Sequence, residues 1–143
     1  NMLKDSNGEE ITDSELEGWV RGFPGSVTLI LDGHESQSFV DGGVLAQAFE
    51  KYDYTVLGGT LKNQESRLAQ GKALSWFTYN LLEGILTREA DSGYGDGVIT
   101  ARELYDYTFE IMEAENGDKN PEESQTPFLK EGSYADAVVY RYK

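Results

Sequence analysis

The run Val27-Thr28-Leu29-Ile30-Leu31 passes at once into the polar turn Asp32-Gly33-His34-Glu35-Ser36, and this junction limits the possible folds more than any other segment. A β-prone run without polar alternation reads as a strand covered on both faces, as in a parallel sheet. A polar turn at the C-terminal end of such a strand is where open α/β sheets carry reactive or binding groups. A second run, Tyr54 to Gly59, has the same character. The length of 143 residues fits one domain with a substantial core.

Helical patterns surround these strands. Thr12-Asp13-Ser14-Glu15 is a capping box, so a helix is expected from Asp13, with Leu16, Trp19 and Val20 as its apolar face and Phe23-Pro24-Gly25 as its stop. Val44 to Tyr52 reads as a second helix and Leu74 to Leu86 as the strongest, with Phe77, Leu81, Leu82 and Ile85 facing inward. Thr100-Ala101-Arg102-Glu103 caps a further helix reaching Glu113, whose apolar groups Leu104, Tyr107, Phe109, Ile111 and Met112 spread more widely than one stripe. Asn1 to Gly8 and Lys62 to Gln70 are polar and loop-like, and the acidic stretch Glu113 to Thr126 reads as a solvated loop. Ala137 to Tyr142 alternates and closes the chain as a strand. The order α-β-α-β-α-α-β points to an α/β layered sheet. Three strands make a small sheet, so further strands are expected from upstream sequence or a partner chain. Asn1-Met2-Leu3 itself reads as a processed end or a fragment's start.

Charge and composition narrow the function classes. A formal net charge of −14 opposes binding to nucleic acid or an anionic membrane, because phosphate contacts need a basic surface. With no Cys there are no disulfides, thiolate metal sites or thiol chemistry, and a single His excludes a multi-His site in one copy. No apolar run approaches the about 20 residues that span a bilayer. An acidic, Cys-free chain fits a secreted or a cytoplasmic setting equally.

Four segments together resemble the caspase/metacaspase superfamily of cysteine peptidases. Val27 to Ser36 resembles the strand ending Asp-x-Cys-His-Ser-Gly. Thr55 to Ser66 resembles the next strand and its Gln-containing pocket loop. Ala73 to Glu83 resembles the helix after it, and Gln125-Thr126-Pro127 before a terminal strand resembles the family's C-terminal end. The match covers nearly the whole chain but only the second half of a complete caspase-like domain. It implies a caspase-like layered sheet with helices on both faces, incomplete without upstream strands or a partner chain.

The resemblance places His34 at the nucleophile position, Glu35 at that of the following His, and Gln37 at that of the Gly. Asp32 falls where the family has a pocket-lining Asp. Lys62, Asn63 and Gln64 fall on the pocket loop, Lys62 and Asn63 at positions where metacaspases tend to place acids that recognise basic substrates. A thiolate is both nucleophilic near neutral pH and a good leaving group, and an unassisted imidazole replaces neither property efficiently. For His34 the plain alternative is a hydrogen-bonded turn residue. For Asp32 it is a cap on backbone N–H groups, set against a vestigial pocket for a cationic group. The expectation is a noncatalytic module for binding or assembly, its partner being another protein, an upstream fragment of the same precursor or a second copy. The enzymatic alternative is a processed subunit whose other subunit supplies the missing chemistry.

The segment Ala90 to Glu103 resembles an EF-hand calcium loop. Gly97 suits the sharp turn, Val98 offers a carbonyl, Ile99 suits a short pairing strand, and Glu103 suits a bidentate ligand. The front half departs: Ser92 and Tyr94 stand where Asp or Asn is usual, and Asp91 fits only with one inserted residue. The ligand set for Ca2+ would be Asp91, Ser92, Asp96, Val98 and Glu103, giving a weak calcium-responsive binding module. The alternative is a turn that starts a helix. The tyrosines Tyr105, Tyr107, Tyr134, Tyr140 and Tyr142 are either an interaction surface or half-buried packing. Gly42-Gly43 and Gly58-Gly59 are too sparse to cradle a phosphate.

Overall fold

In the computed structural model the described residues are 2–4, 7–41, 49, 53–93, 95–121, 123–133 and 137–143. The helix expected over Val44 to Tyr52, together with Tyr94 and Tyr134, lies outside them save for Phe49, which is buried.

The first residues form a hairpin where a polar turn alone was expected. β1 (Met2–Lys4) pairs antiparallel with β2 (Glu10–Thr12). Only its tip is turn-like: Gly8 has φ +82, a left-handed conformation that glycine adopts without steric cost. α1 (Asp13–Val20) follows from the expected capping box, with Glu15 N–H donating to Thr12 Oγ1 at 3.2 Å and Thr12 N–H to Glu15 Oε2 at 2.9 Å. Its inward face differs from the expected one. Trp19 is 62% exposed while Glu17 is fully buried, accepting from Tyr54 Oη at 2.9 Å and from Arg21 Nε at 2.9 Å. A carboxylate with two such donors can occupy an interior position, and its place on the helix turns Trp19 outward.

The central sheet has the order β3-β4-β6. β3 (Thr28–Leu31) and β4 (Thr55–Gly58) run parallel in the register Thr28↔Thr55 to Leu31↔Gly58. β6 (Phe128–Lys130) closes antiparallel on β4, pairing Val56 with Lys130 and Gly58 with Phe128. The third strand of this sheet is therefore β6. The terminal strand β7 (Val138–Arg141) instead pairs antiparallel with the short β5 (Val98–Thr100) in a separate two-stranded sheet. Period-2 alternation marks a segment as a strand without marking its partner.

β4 is buried along its length, and its neighbouring residues divide the core in two. Leu57 joins Phe77 and Leu81 of α3 (Trp76–Thr87) and Leu104 and Met112 of α4 (Ala101–Asn116). Val56 joins Leu31, Phe39 and Val40 of α2 (Ser36–Val40), Phe128 and the partly buried Leu16 and Val20 of α1. Helices thus pack on both sides of a small mixed sheet, an α/β arrangement. β3 is less covered than its uninterrupted apolar run implies. Ile30 is 46% exposed, and among the described residues β3 pairs on one side only.

Gly58 and Gly59 permit close packing at the end of β4. A Cβ at Gly58 would lie 2.1 Å from the Phe128 ring, and one at Gly59 2.8 Å from the Phe77 ring. α3 starts at Trp76, with Ser75 Oγ accepting the Thr78 N–H at 3.0 Å. It buries Phe77, Leu81 and Gly84 while Leu82 is exposed, so the expected inward place of Leu82 is corrected. α4 carries a narrower stripe than its composition suggests: Ala101, Leu104, Thr108, Met112 and Asn116 are buried at helical spacing.

That helix runs to Asn116, three residues beyond the expected end. The stretch after it is not simply solvated. Gln125 is fully buried, accepting from Arg67 N–H at 2.8 Å and donating to the Gly59 carbonyl at 3.1 Å. Asn116 binds both the Gln125 amide and its carbonyl, at 3.2 and 3.1 Å. Composition marks the segment as polar, but buried amides that satisfy backbone groups hold it against the sheet. Among the described residues no helix is long and apolar enough to cross a membrane.

Candidate functional site

The turn after β3 is held by a reciprocal clasp. Ser36 Oγ accepts the Thr60 N–H at 3.0 Å and reaches the Thr60 carbonyl at 3.1 Å. Thr60 Oγ1 accepts the Ser36 N–H at 2.7 Å and donates to the Gly33 carbonyl at 2.8 Å. Both side chains are buried, so the clasp replaces water for four backbone groups at the ends of two parallel strands. Glu35 sits in the left-handed region at φ 49, with its N–H donating to the Gln64 carbonyl at 2.9 Å. The backbone therefore turns sharply and presents Asp32, His34 and Glu35 to solvent.

Asp32 gathers hydroxyl groups from elsewhere in the chain. Its Oδ1 accepts from Ser66 Oγ at 3.2 Å, and its Oδ2 from Ser75 Oγ and Thr78 Oγ1 at the start of α3. Hydroxyls orient a carboxylate without cancelling its charge. Asp32 has no ion pair with a Lys or Arg among the described residues. The result is an exposed carboxylate, fixed in direction by three side chains and left with its negative charge.

His34 is bound to the same serine. Its Nδ1 accepts the Ser66 backbone N–H at 3.1 Å, which requires the neutral ring with its proton on Nε2. The Ser66 hydroxyl goes to Asp32, so the imidazole receives a backbone amide and is not the base of that hydroxyl.

The pocket-loop residues divide. Lys62 and Asn63 are exposed. Lys62 N–H donates to Gln37 Oε1 at 3.1 Å and its ammonium pairs with Asp41 at 3.1 Å. Asn63 adopts φ 61, a left-handed position that Asn tolerates. Gln64 is buried, and its Oε1 accepts from Leu61 N–H at 3.1 Å and Thr126 N–H at 2.8 Å. It ties the loop to the segment before β6, while Asp32 is exposed.

Sequence reasoning did not single out Ser66, Ser75 or Thr78. One signal was present for Ser75, which stands just before a strongly apolar helix as an N-cap should. Nothing local marks Ser66 or Thr78 as partners of a residue more than thirty positions away.

The acidic loop is built from its own backbone. Asp91 Oδ2 accepts the Gly97 N–H at 2.9 Å, and Asp96 Oδ1 the Val98 N–H at 2.9 Å. Glu103 Oε2 accepts from the Thr100 N–H and hydroxyl, each at 2.9 Å, and Oε1 from the Gly93 N–H at 3.1 Å. Burial pushes the Glu103 carboxyl up, but the Thr100 and Gly93 donors outweigh it and hold the group below the usual 4.5. Ser92 is exposed, and a cleft of about 560 Å³ opens beside Gly93, Asp96, Val98, Thr100 and Glu103, with the cationic Arg102 and Arg141 also on its wall. Among the described residues no three acidic or His side chains converge to hold a metal ion. Asp91 Oδ1 is buried without a hydrogen-bond partner.

The tyrosines mostly pack. Tyr105, Tyr107 and Tyr142 are half-buried against the core, with Arg88 4.4 Å above the Tyr142 ring, while Tyr140 is exposed. Comparison with protein-family models, curated proteins and solved structures gave no match.

Proposed function

We propose that this chain is a noncatalytic, caspase-homologous module that binds protein, with Asp32 as the receptor of a cationic side chain. The observation that carries the reading is the charge of Asp32: three hydroxyls aim the carboxylate, and no described cation neutralises it. Further support comes from the parallel β3–β4 pair with its turn at the C-terminal end, and from β3 being paired on one side only among the described residues. His34 in the place of a thiol removes the nucleophile that the resemblance implies. The side of β3 that is unpaired among the described residues would take a strand from an upstream fragment of the same precursor. Another protein and a second copy are the competing occupants.

Fluorescence polarisation with a blocked peptide carrying one Arg tests the reading. Binding is expected to fall at least about tenfold in Asp32→Asn, because a close opposite charge is lost. Equal affinity in the two proteins overturns it. Mass spectrometry of the same mixtures tests the absence of chemistry. Cleavage that persists through purification and disappears in His34→Ala would instead make this chain a processed peptidase subunit.

A second reading rests on Asp91 Oδ1, a buried carboxylate oxygen without a donor, which suits a hard cation. Asp96, Glu103, Ser92 and the Val98 carbonyl are the remaining ligands. Thermal unfolding with millimolar calcium against EDTA decides it, since a cation held only by the folded state raises the midpoint. An unchanged midpoint removes it.

A further inference from the structure

We infer that His34 is a proton-operated gate on cation binding at Asp32, an inference that rests on the cationic-guest reading above. Both side chains are bound to one residue: Ser66 gives its amide to His34 Nδ1 at 3.1 Å and its hydroxyl to Asp32 Oδ1 at 3.2 Å. The amide bond exists only while Nδ1 keeps its lone pair. Protonation turns Nδ1 into a donor facing another donor, so the Ser66 contact breaks. The same step places a positive imidazolium two residues from Asp32, on the same exposed turn. A cationic guest then meets a carboxylate that already has a positive neighbour, and the segment that carries Ser66 has lost one of its ties.

The charged groups nearest along the chain are Asp32 and Glu35 on the turn and Glu65 and Arg67 on either side of Ser66. The facing start of α3 contributes the neutral hydroxyls of Ser75 and Thr78, both already directed to Asp32. Histidine is the side chain that ordinarily changes charge between about pH 5 and 8, and this chain has a single one. The neutral form leaves Asp32 open to a cation, and the charged form competes with it. By linkage, a guest that disfavours the imidazolium must itself bind more weakly as the imidazolium forms.

The experiment is titration of the blocked Arg peptide from about pH 8 to about pH 5, a range in which the guanidinium stays charged. Affinity is expected to fall about tenfold, the effect of one unit of coupling between opposed charges. In His34→Gln, whose amide oxygen can still accept the Ser66 N–H but does not titrate, the pH dependence is expected to vanish. The same slope in His34→Gln overturns the gate. A second measurement needs no guest: the Ser66 amide resonance is expected to move with the titration of the His34 ring, and a stationary amide overturns the gate as well. Absence of peptide binding at every pH, with a Ser66 amide that does titrate, overturns the cationic-guest reading and leaves the proton-sensitive contact standing.

Discussion

The turn after β3 and the loop before α4 both gather donors around carboxylates, yet they are assembled in opposite ways. Asp32 receives hydroxyls from Ser66, Ser75 and Thr78, residues 34 to 46 positions away along the chain. Glu103 receives Thr100 three positions away and Gly93 ten positions away, while Asp91 receives Gly97 six positions away. The first site exists only when two strands and a helix are in place. The second is a local device whose donors are backbone amides that need partners wherever the helix begins. A site built from distant side chains can be tuned or gated by one substitution. A site built from local amides is chiefly a way to start a helix.

The largest effect should come from breaking the clasp under the first site. Ser36→Ala leaves the buried Thr60 N–H without its acceptor and is expected to cost about 1–3 kcal/mol, read from urea denaturation. It should also weaken binding of an Arg peptide, since the turn that presents Asp32 loses its anchor. A mutant with wild-type stability would mean that the clasp does not hold the turn.

A smaller loss is expected at the second site. Thr100→Ala removes the N-cap of α4 and should cost about 1 kcal/mol, with peptide binding unchanged. An equal loss of peptide affinity would show the two regions to be coupled and so erase the contrast.

The smallest effect is on the acid side. Glu103 is held below its ordinary value, so its contribution to stability is complete above about pH 4.5 and is lost as pH falls through the lower folded value. Glu103→Gln should flatten that part of the stability curve. The change should be smaller than that of Thr100→Ala, because the Thr100 side-chain acceptor for the Glu103 amide persists. A curve parallel to that of the wild type would mean that the Glu103 bonds contribute no pH dependence.

Much of this contrast follows from what each signal encodes. Both capping boxes were legible because their partners lie three residues apart, and Ser75 could be read in the same way. β4 was legible because its adjacent Val56 and Leu57 offer apolar groups to both faces of the sheet. The inward place of Glu17 was not, since it depends on Tyr54 on another element. Nor was β6: Phe128–Lys130 is short, and its pairing is set by the space that Gly58 leaves for the Phe128 ring.

Residue types and near neighbours alone settled the strands β3 and β4, the absence of a thiol, the strong negative charge and the capped starts of α1 and α4. Each of these depends on residue type or on neighbours within one or two turns. Tertiary structure decided which strand joined the central sheet, which face of α1 turned inward, and that Asp32 and His34 share Ser66. Those outcomes depend on distances between segments remote in the chain, and packing fixes such distances only after the local elements exist.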